Sequence, residues 1–363
     1  MSQPFRTLLV GLGARGRVWA RLLNEEPRVT IAGFVDQAEE RLAAIRHAYR
    51  VPTGACFTDL GDALGAVRPD LVMLATPPMG RSEDALRVLE HGAHLLCEKP
   101  LALDLGDAVR IVEAAEQAGR ALAVGVNFRY QHCVTRARAI VRSGEIGRPA
   151  FSRYVYWRNR DGYRPGLNRY PLTMRQPMLY EQSIHHFDQL RFVYDAEVTR
   201  VSCRCHNPSW SMYRDDATVS AVLELSGGIL VTYIGTWSAQ TKMTDFEWRT
   251  DFDRGALVQR QMFSDLSIAR GSGAERVEPL PLPAQEQLVD DARLLLAHVA
   301  AQLAAGTLRP HPSGLDHLKT LGVVAACEES HHTGQAILME DFYARHNVPD
   351  RWLAWRETGR PER

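Results

Sequence analysis

The stretch Arg6-Thr7-Leu8-Leu9-Val10-Gly11-Leu12-Gly13-Ala14-Arg15-Gly16 decides the fold. Residues 6–13 are a short apolar run ending in glycines, which reads as a buried strand, and residues 15–25 are helical in composition. Between them Gly11, Gly13 and Gly16 stand in the pattern G-x-G-x-x-G. Glycine is needed where the chain turns tightly, where backbone approaches a pyrophosphate and where helix meets strand. The helix N-terminus then offers unpaired N–H groups and a partial positive charge to phosphates. The turn, with Ala14 and Arg15 inside it, is therefore a candidate dinucleotide site. A second strand, 29–36, ends on Asp36, 20 residues after Gly16. A carboxylate there accepts hydrogen bonds from both adenosine ribose hydroxyls and repels a 2′-phosphate. Gln37 follows, so NAD is favoured over NADP. The competing reading is a ligand-free turn with Asp36 capping a helix at 38–49.

Working outward, strands at 70–76, 93–97 and 121–127 alternate with helical stretches at 81–91 and 104–118. That alternation implies a doubly wound parallel sheet with right-handed crossovers, a Rossmann domain over 1–128. A helix at 131–143 leads to the turn Gly144-Glu145-Ile146-Gly147-Arg148-Pro149, where the texture changes. Runs at 150–159, 197–206, 216–225 and 229–238 are alternating or β-branched, and Gly227-Gly228 marks a hairpin. With strand over 245–270 and a helical insertion at 179–194, the second domain (129–340) is α+β with a large open, mostly antiparallel sheet. Later helices at 285–305 and 314–333 pack back onto one of the domains. The aromatic, charged tail 341–363 has no assigned place.

The 363 residues correspond to about two domains. Lys+Arg and Asp+Glu are 43 each, so no basic surplus is available for nucleic acid or an anionic membrane. Hydrophobic residues at 45% and charged residues at 24% are those of a folded globular protein. Six scattered cysteines lack the paired spacing of zinc ligands, so no metal is expected; Cys203 and Cys205 alone are close, on one face of a strand. No apolar run approaches about 18 residues and no leader precedes the first strand. A cytoplasmic location with reduced thiols is expected.

Only three lysines occur, Lys99, Lys242 and Lys319, against 40 arginines, so a lysine at a motif position carries weight. Cys97-Glu98-Lys99-Pro100 follows the fifth strand, where ligands of doubly wound sheets sit. Lysine can act there as a compact donor to an alcohol oxygen; the alternative is an exposed lysine before a turn proline. In the helical insertion, Glu181, His185 and Asp188 are spaced i, i+4, i+7 on one helix face. Neutral imidazole suits removal of an alcohol proton, and a carboxylate nearby can orient substrate. Two adjacent histidines, His185 and His186, also suit a solvated or core pair.

Taken together, GLGARG, Asp36, Glu98-Lys99-Pro100, GEIGRP and the helix EQSIHHFD (181–188) resemble the glucose–fructose oxidoreductase/inositol dehydrogenase/rhizopine-catabolism (Gfo/Idh/MocA) family over about residues 5 to 335. The resemblance implies Lys99 as the active-site lysine, His185 as acid/base, and Glu181 where many members carry aspartate. It places Asn127 and Arg129 at the cofactor and substrate, and Thr76 and Pro77 along the nicotinamide. It also implies a cis peptide before Pro100 and an open sheet that forms homodimer or homotetramer contacts.

Residues 150–175 hold six arginines with Asp161 the only acid, interleaved with Tyr154, Tyr156, Trp157, Tyr163 and Tyr170. Aromatic faces stack on sugar rings and guanidinium forks grip anions, so Tyr156, Arg158, Arg160 and Arg164 are substrate-binding candidates. The same composition suits a subunit interface. The expected activity is NAD-dependent hydride transfer at a ring hydroxyl of a sugar, glycoside or cyclitol. An alternative is a redox-neutral glycoside hydrolase or lyase that recycles NAD. A silent NAD(H)-binding protein is disfavoured by the presence of both Lys99 and His185.

Overall fold

Six short strands, almost free of polar residues, form a parallel sheet in the computed structural model, which describes residues 3–274 and 276–353. They are β1 (Phe5–Val10), β2 (Val29–Val35), β3 (Cys56–Phe57), β4 (Leu71–Leu74), β5 (His94–Cys97) and β6 (Leu122–Val124), in the order β3-β2-β1-β4-β5-β6. The order reverses beside β1, the switch point at which doubly wound sheets bind ligands. Leu8, Leu9, Val72, Met73, Leu74, Leu95 and Leu96 are fully buried, as a sheet covered on both faces requires. The crossovers are α1 (Ala14–Glu25), α2 (Glu39–Tyr49), α3 (Leu60–Val67), α4 (Arg81–Glu90) and α5 (Leu105–Ala118).

The pair β3–α3 is absent from the sequence reading. β3 has two residues, too few for a periodic signal. α3 is legible in retrospect: Leu60, Ala63, Leu64 and Val67 are its buried i, i+3, i+4, i+7 face, and Asp59 caps it by accepting the Asp62 N–H at 3.0 Å.

The chain divides into two compact units. The first comprises the chain to Asn127 with residues 166–168 and 292–318. Its late segment holds most of α8 (Asp290–Ala304), whose Leu295, Leu296 and Val299 are buried. The helix begins at Asp290, not 285, because Leu288 takes a left-handed φ of 65° and breaks the run. Further on, the Val124 N–H donates to the Pro312 carbonyl at 3.0 Å, adding this segment to the β6 edge.

The second unit is built on α6 (His132–Ser143), β7 (Pro149–Trp157), α7 (Ile184–Tyr194), β8 (Val198–His206), β9 (Thr218–Leu225), β10 (Ile229–Thr236), β11 (Asp245–Phe252), β12 (Gly255–Gln259), β13 (Ser267–Arg270) and β14 (Glu278–Pro279). It ends with α9 (Gly314–Thr333), whose first residues belong to the first unit, then β15 (Ile337–Leu338) and α10 (Met339–Arg345). The nine strands run β14-β13-β12-β11-β7-β10-β9-β8-β15, antiparallel except for the β7–β10 pair. Gly227 and Gly228, at φ 80° and 81°, make the hairpin between β9 and β10. One sheet face is buried (Tyr154, Tyr156, Val219, Leu223, Val231, Tyr233), and Tyr154 donates to Gln189 of α7 at 3.0 Å. The alternate residues, among them Phe151, Arg153, Val222 and Leu230, are exposed. Part of the unassigned tail also finds its place: Phe342 and Trp352 are buried and Tyr343 donates to the Lys319 carbonyl at 3.1 Å. Residues 354–363 lie outside the described residues. Among the described residues no helix is long and apolar enough to cross a membrane.

Candidate active site

The glycine turn is shaped by contacts that exclude side chains. Gly11 has φ +88°, and a Cβ there would lie 2.9 Å from the Ala75 backbone. At Gly16 a Cβ would sit 1.8 Å from the Gly11 carbonyl oxygen, so helix and turn can touch only because it is missing. Gly13, the residue before α1, faces open space; an added Cβ would meet only Asn168 Oδ1, at 3.8 Å. α1 starts without a side-chain cap and without an acid in its first turn, leaving its N–H groups and positive dipole end for an anion. Beside the turn, the buried Thr76 hydroxyl has no hydrogen-bond partner, and Pro77 after it is exposed.

Asp36 Oδ2 accepts the Leu12 N–H at 2.6 Å and Oδ1 accepts the Ala38 N–H at 2.9 Å, with Arg41 at 3.4 Å. The residue preceding α2 is Ala38, so Asp36 is not its capping residue but a tie between β2 and the glycine turn. An open glycine, an uncapped helix start, an orphan hydroxyl and an acid at the second strand together fit a dinucleotide.

Lys99 stands in a loop fixed from three sides, and the Lys99–Pro100 peptide is cis. The Glu98 carboxylate accepts from Arg15 at 2.6 Å, from Trp19 at 2.8 Å and from the Lys99 N–H at 3.3 Å. Burial alone would raise its pKa, but the Arg15 charge and the bonds from Arg15 and Trp19 outweigh this and hold it low. The Arg15 side chain thus ties the start of α1 to the Glu98 loop and lies over Trp19 at 5.0 Å. Arg81, undistinguished among so many arginines in the sequence, is buried and donates to the carbonyls of Thr76, Glu98 (2.7 Å) and Pro100. It ties the two loops that follow β4 and β5. Beyond them the Leu101 N–H donates to His317 Nε2 at 3.3 Å. The resulting Lys99 is nine-tenths buried on a backbone that cannot drift. Asn127, at the end of this unit, is also buried.

In the second unit the two histidines have different fates. His186 is fully buried: the Gln182 amide donates to Nε2 at 2.9 Å, so Nδ1 carries the proton and donates to Tyr233 at 2.9 Å. Burial pushes its pKa down to about 3, and it stays neutral. His185 instead stacks against Phe128, ring centroids 3.8 Å apart and planes 11° from parallel. Phe263 closes on the Phe128 ring at 4.7 Å.

One expectation is corrected by this geometry. Residues Met178–Ser183 wind as a π-helix before α7 begins, so the 3.6-residue spacing does not carry from Glu181 to His185 and Asp188. His185 and Asp188 keep their i, i+3 relation within α7, but Asp188 is committed to another partner. Its carboxylate takes a bidentate bond from Arg129, Nε and a terminal nitrogen each at 2.6 Å, and accepts from the Thr320 hydroxyl at 2.9 Å. Arg129, 2% exposed, accordingly clamps the segment carrying Phe128 onto α7. Glu181 is partly exposed in the π-turn.

The aromatic, arginine-rich stretch is also divided. Tyr156 has no accessible surface; its ring packs 4.9 Å from His186, so its expected role in stacking on substrate is corrected to a core contact. Arg153 pairs with Glu247 across the exposed sheet face, and Arg160 lies over Trp237 at 4.3 Å while donating to Tyr213. Arg158 reaches the Tyr156 hydroxyl at 3.5 Å, and Arg164 is exposed.

A glycine turn at the start of a parallel sheet, with its acid and a fixed lysine loop, defines an NAD-binding Rossmann unit followed by an open-sheet unit. Family models agree: "Oxidoreductase family, NAD-binding Rossmann fold" matches residues 5–126 and "GFO/IDH/MocA C-terminal domain" matches 134–258. The chain belongs to the Gfo/Idh/MocA family of NAD-binding oxidoreductases. It is 26% identical to a D-apiose dehydrogenase from Paraburkholderia graminis, across 94% of this chain and 91% of that one. It is 32% identical to an inositol 2-dehydrogenase from Rhodococcus erythropolis, across 55% and 56%. An oxidoreductase from Agrobacterium radiobacter, crystallised with NAD+, L-tartaric acid and magnesium, has the same fold, with a TM-score of 0.83 at 20% identity over 93% of this chain and 99% of that one.

Proposed function

We propose that this chain interconverts a ring hydroxyl and the matching ketone of a sugar, glycoside or cyclitol. The observation that carries the reading is the different setting of the paired histidines: both ring nitrogens of His186 are bonded inside the core, whereas the buried His185 ring lies stacked on Phe128. NAD, when bound, supplies the hydride acceptor. The residues that hold it are Gly11, Gly13, Ala14, Arg15, Gly16, Asp36, Thr76, Pro77, Glu98, Lys99 and Asn127. His185 takes the hydroxyl proton; Lys99 donates to the alcohol oxygen and stabilises charge as it develops there. Glu181 orients the substrate, and Arg158 and Arg164 meet an anionic substituent. The names of the apiose and inositol dehydrogenases support this substrate class.

We assign coenzyme binding to residues 1–128, substrate binding and assembly to 129–340, and a tail to 341–363, in a cytoplasmic enzyme. The test is a screen of sugars, polyols and glycosides followed at once by NADH absorbance and product mass. NADH formation with a ketone product is expected. Release of an aglycone without net NADH identifies the redox-neutral glycosidase instead, and neither outcome with any compound refutes catalysis at CH–OH groups.

The exposed sheet face is proposed as the homo-oligomer contact. Leu230 stands opposite Phe151 in register, Val222 opposite Thr232, and Phe151, Val222 and Leu230 are all more than 40% exposed. Such an apolar centre ringed by Arg153, Glu224 and Arg249 has the make-up of an interface core and rim. Light scattering should give a multiple of 40.7 kDa for the native chain and the single-chain mass for the double substitution Val222→Asp/Leu230→Arg. A native chain that runs as a monomer at micromolar concentration removes the proposal.

A further inference from the structure

A second cluster of reactive side chains lies within the second unit, apart from the groups assigned above. On β8, Cys203 and Cys205 are two residues apart, so both thiols point to the buried side of the sheet; their sulfurs are 4.0 Å from each other. α9 brings Cys327 and, one turn on, His331 to the same place, and the segment before β9 brings Asp216. His331 Nε2 is 3.3 Å from Asp216 Oδ2. The donor atoms of Cys205, Asp216 and His331 all lie within 4.8 Å of one another.

We propose that Cys205, His331 and Asp216, with Cys203 as fourth ligand, bind a divalent cation of the zinc class. In a tetrahedral site, nitrogen and oxygen ligands about 2.0–2.1 Å from zinc are about 3.3 Å apart, and thiolates at about 2.3 Å are about 3.8 Å apart. Two of the six edges, 3.3 Å between His331 and Asp216 and 4.0 Å between the two thiols, match those of such a tetrahedron; Cys205, Asp216 and His331 are already grouped within 4.8 Å, and the Cys203 thiol and the His331 ring would have to move to complete the shell. Two thiols and an imidazole select zinc, cobalt or a similar borderline ion over magnesium or calcium, which take oxygen ligands.

The Cys205 backbone N–H donates to His331 Nδ1 at 3.1 Å, which puts the ring proton on Nε2, toward Asp216. Coordination through Nε2 therefore moves that proton to Nδ1 and turns the ring, one-quarter exposed, off the Cys205 N–H. The thiol protons pass to solvent, so binding releases acid. The ion would pin β8, α9 and the entry to β9, a structural role with all four positions filled by protein.

The experiment uses the full chain, stripped by chelator under reducing conditions and titrated with Co2+, then Zn2+. A thiolate-to-cobalt charge-transfer absorption saturating at one equivalent and bleached by Zn2+ is expected. So is a rise in Tm of roughly 5 °C at a hundredfold excess of Zn2+ over Kd. Cys205→Ser should abolish the absorption and Cys56→Ser, in the other unit, should keep it. Asp216→Asn should weaken Co2+ binding at least tenfold while the chelated protein melts within a few degrees of the native chain. Absence of the absorption, or its survival in Cys205→Ser, overturns the proposal.

Discussion

His185→Ala should lower kcat/KM by about a hundred- to ten-thousand-fold, the range removed with a positioned general acid–base. The neighbouring imidazole cannot substitute for it. His186 has both ring nitrogens committed, to Gln182 and Tyr233, and lies in a fully buried site. Freeing it would break two buried hydrogen bonds and expose part of the aromatic core, at about 1–3 kcal/mol for each polar group left unpaired. The paired control is His186→Ala, which should lower Tm while leaving the pH profile of any remaining activity in place. A His185→Ala enzyme within tenfold of the native rate would withdraw the acid–base assignment.

Arg129→Ala should destabilise the second unit by about 3–5 kcal/mol, because it strands the Asp188 carboxylate in the interior. Both partners are 2% exposed or less, and the two bonds at 2.6 Å form a fork geometry that lysine cannot reproduce. Thr320, the other donor to Asp188, is a neutral hydroxyl and cannot replace the lost cation. Exchanging both charges for apolar side chains of similar size, Arg129→Met with Asp188→Leu, should recover most of the loss. A urea-unfolding double-mutant cycle separates the two terms. The clamp has a second consequence for the same variants: Phe128 adjoins Arg129, and His185 stacks on Phe128. Activity should therefore fall further than stability alone explains. A single-variant cost below about 1 kcal/mol is incompatible with a fully desolvated pair.

The sequence made the Rossmann half legible because its signals are local. A glycine turn, a strand of five or six apolar residues and a helix of three turns each announce themselves within a dozen positions. What escaped notice was either too short to show a period, as in β3, or a matter of side-chain direction. Arg81 is the plainest case: nothing in an arginine-rich sequence marks the one whose fork reaches three loop carbonyls. The π-turn at Met178–Ser183 has no compositional signature either, so the helix face drawn through Glu181, His185 and Asp188 assumed a spacing the backbone does not keep. Tyr156 follows from alternation alone: in β7 it shares its parity with the buried Tyr154, not with the exposed Trp157. The Arg129–Asp188 pair joins residues 59 apart, and only a folded backbone reveals it.

The nucleotide-binding unit is not finished where its glycine motif and sheet end. Its last helix lies in residues 292–318, separated from Asn127 by the other unit's strands. On the ribosome, at roughly 5–20 residues per second, the edge of β6 emerges roughly ten to thirty seconds before the segment that covers it. A gene cut after codon 127 would thus encode a sheet without its final cover, so the two halves of this molecule cannot have been joined simply end to end.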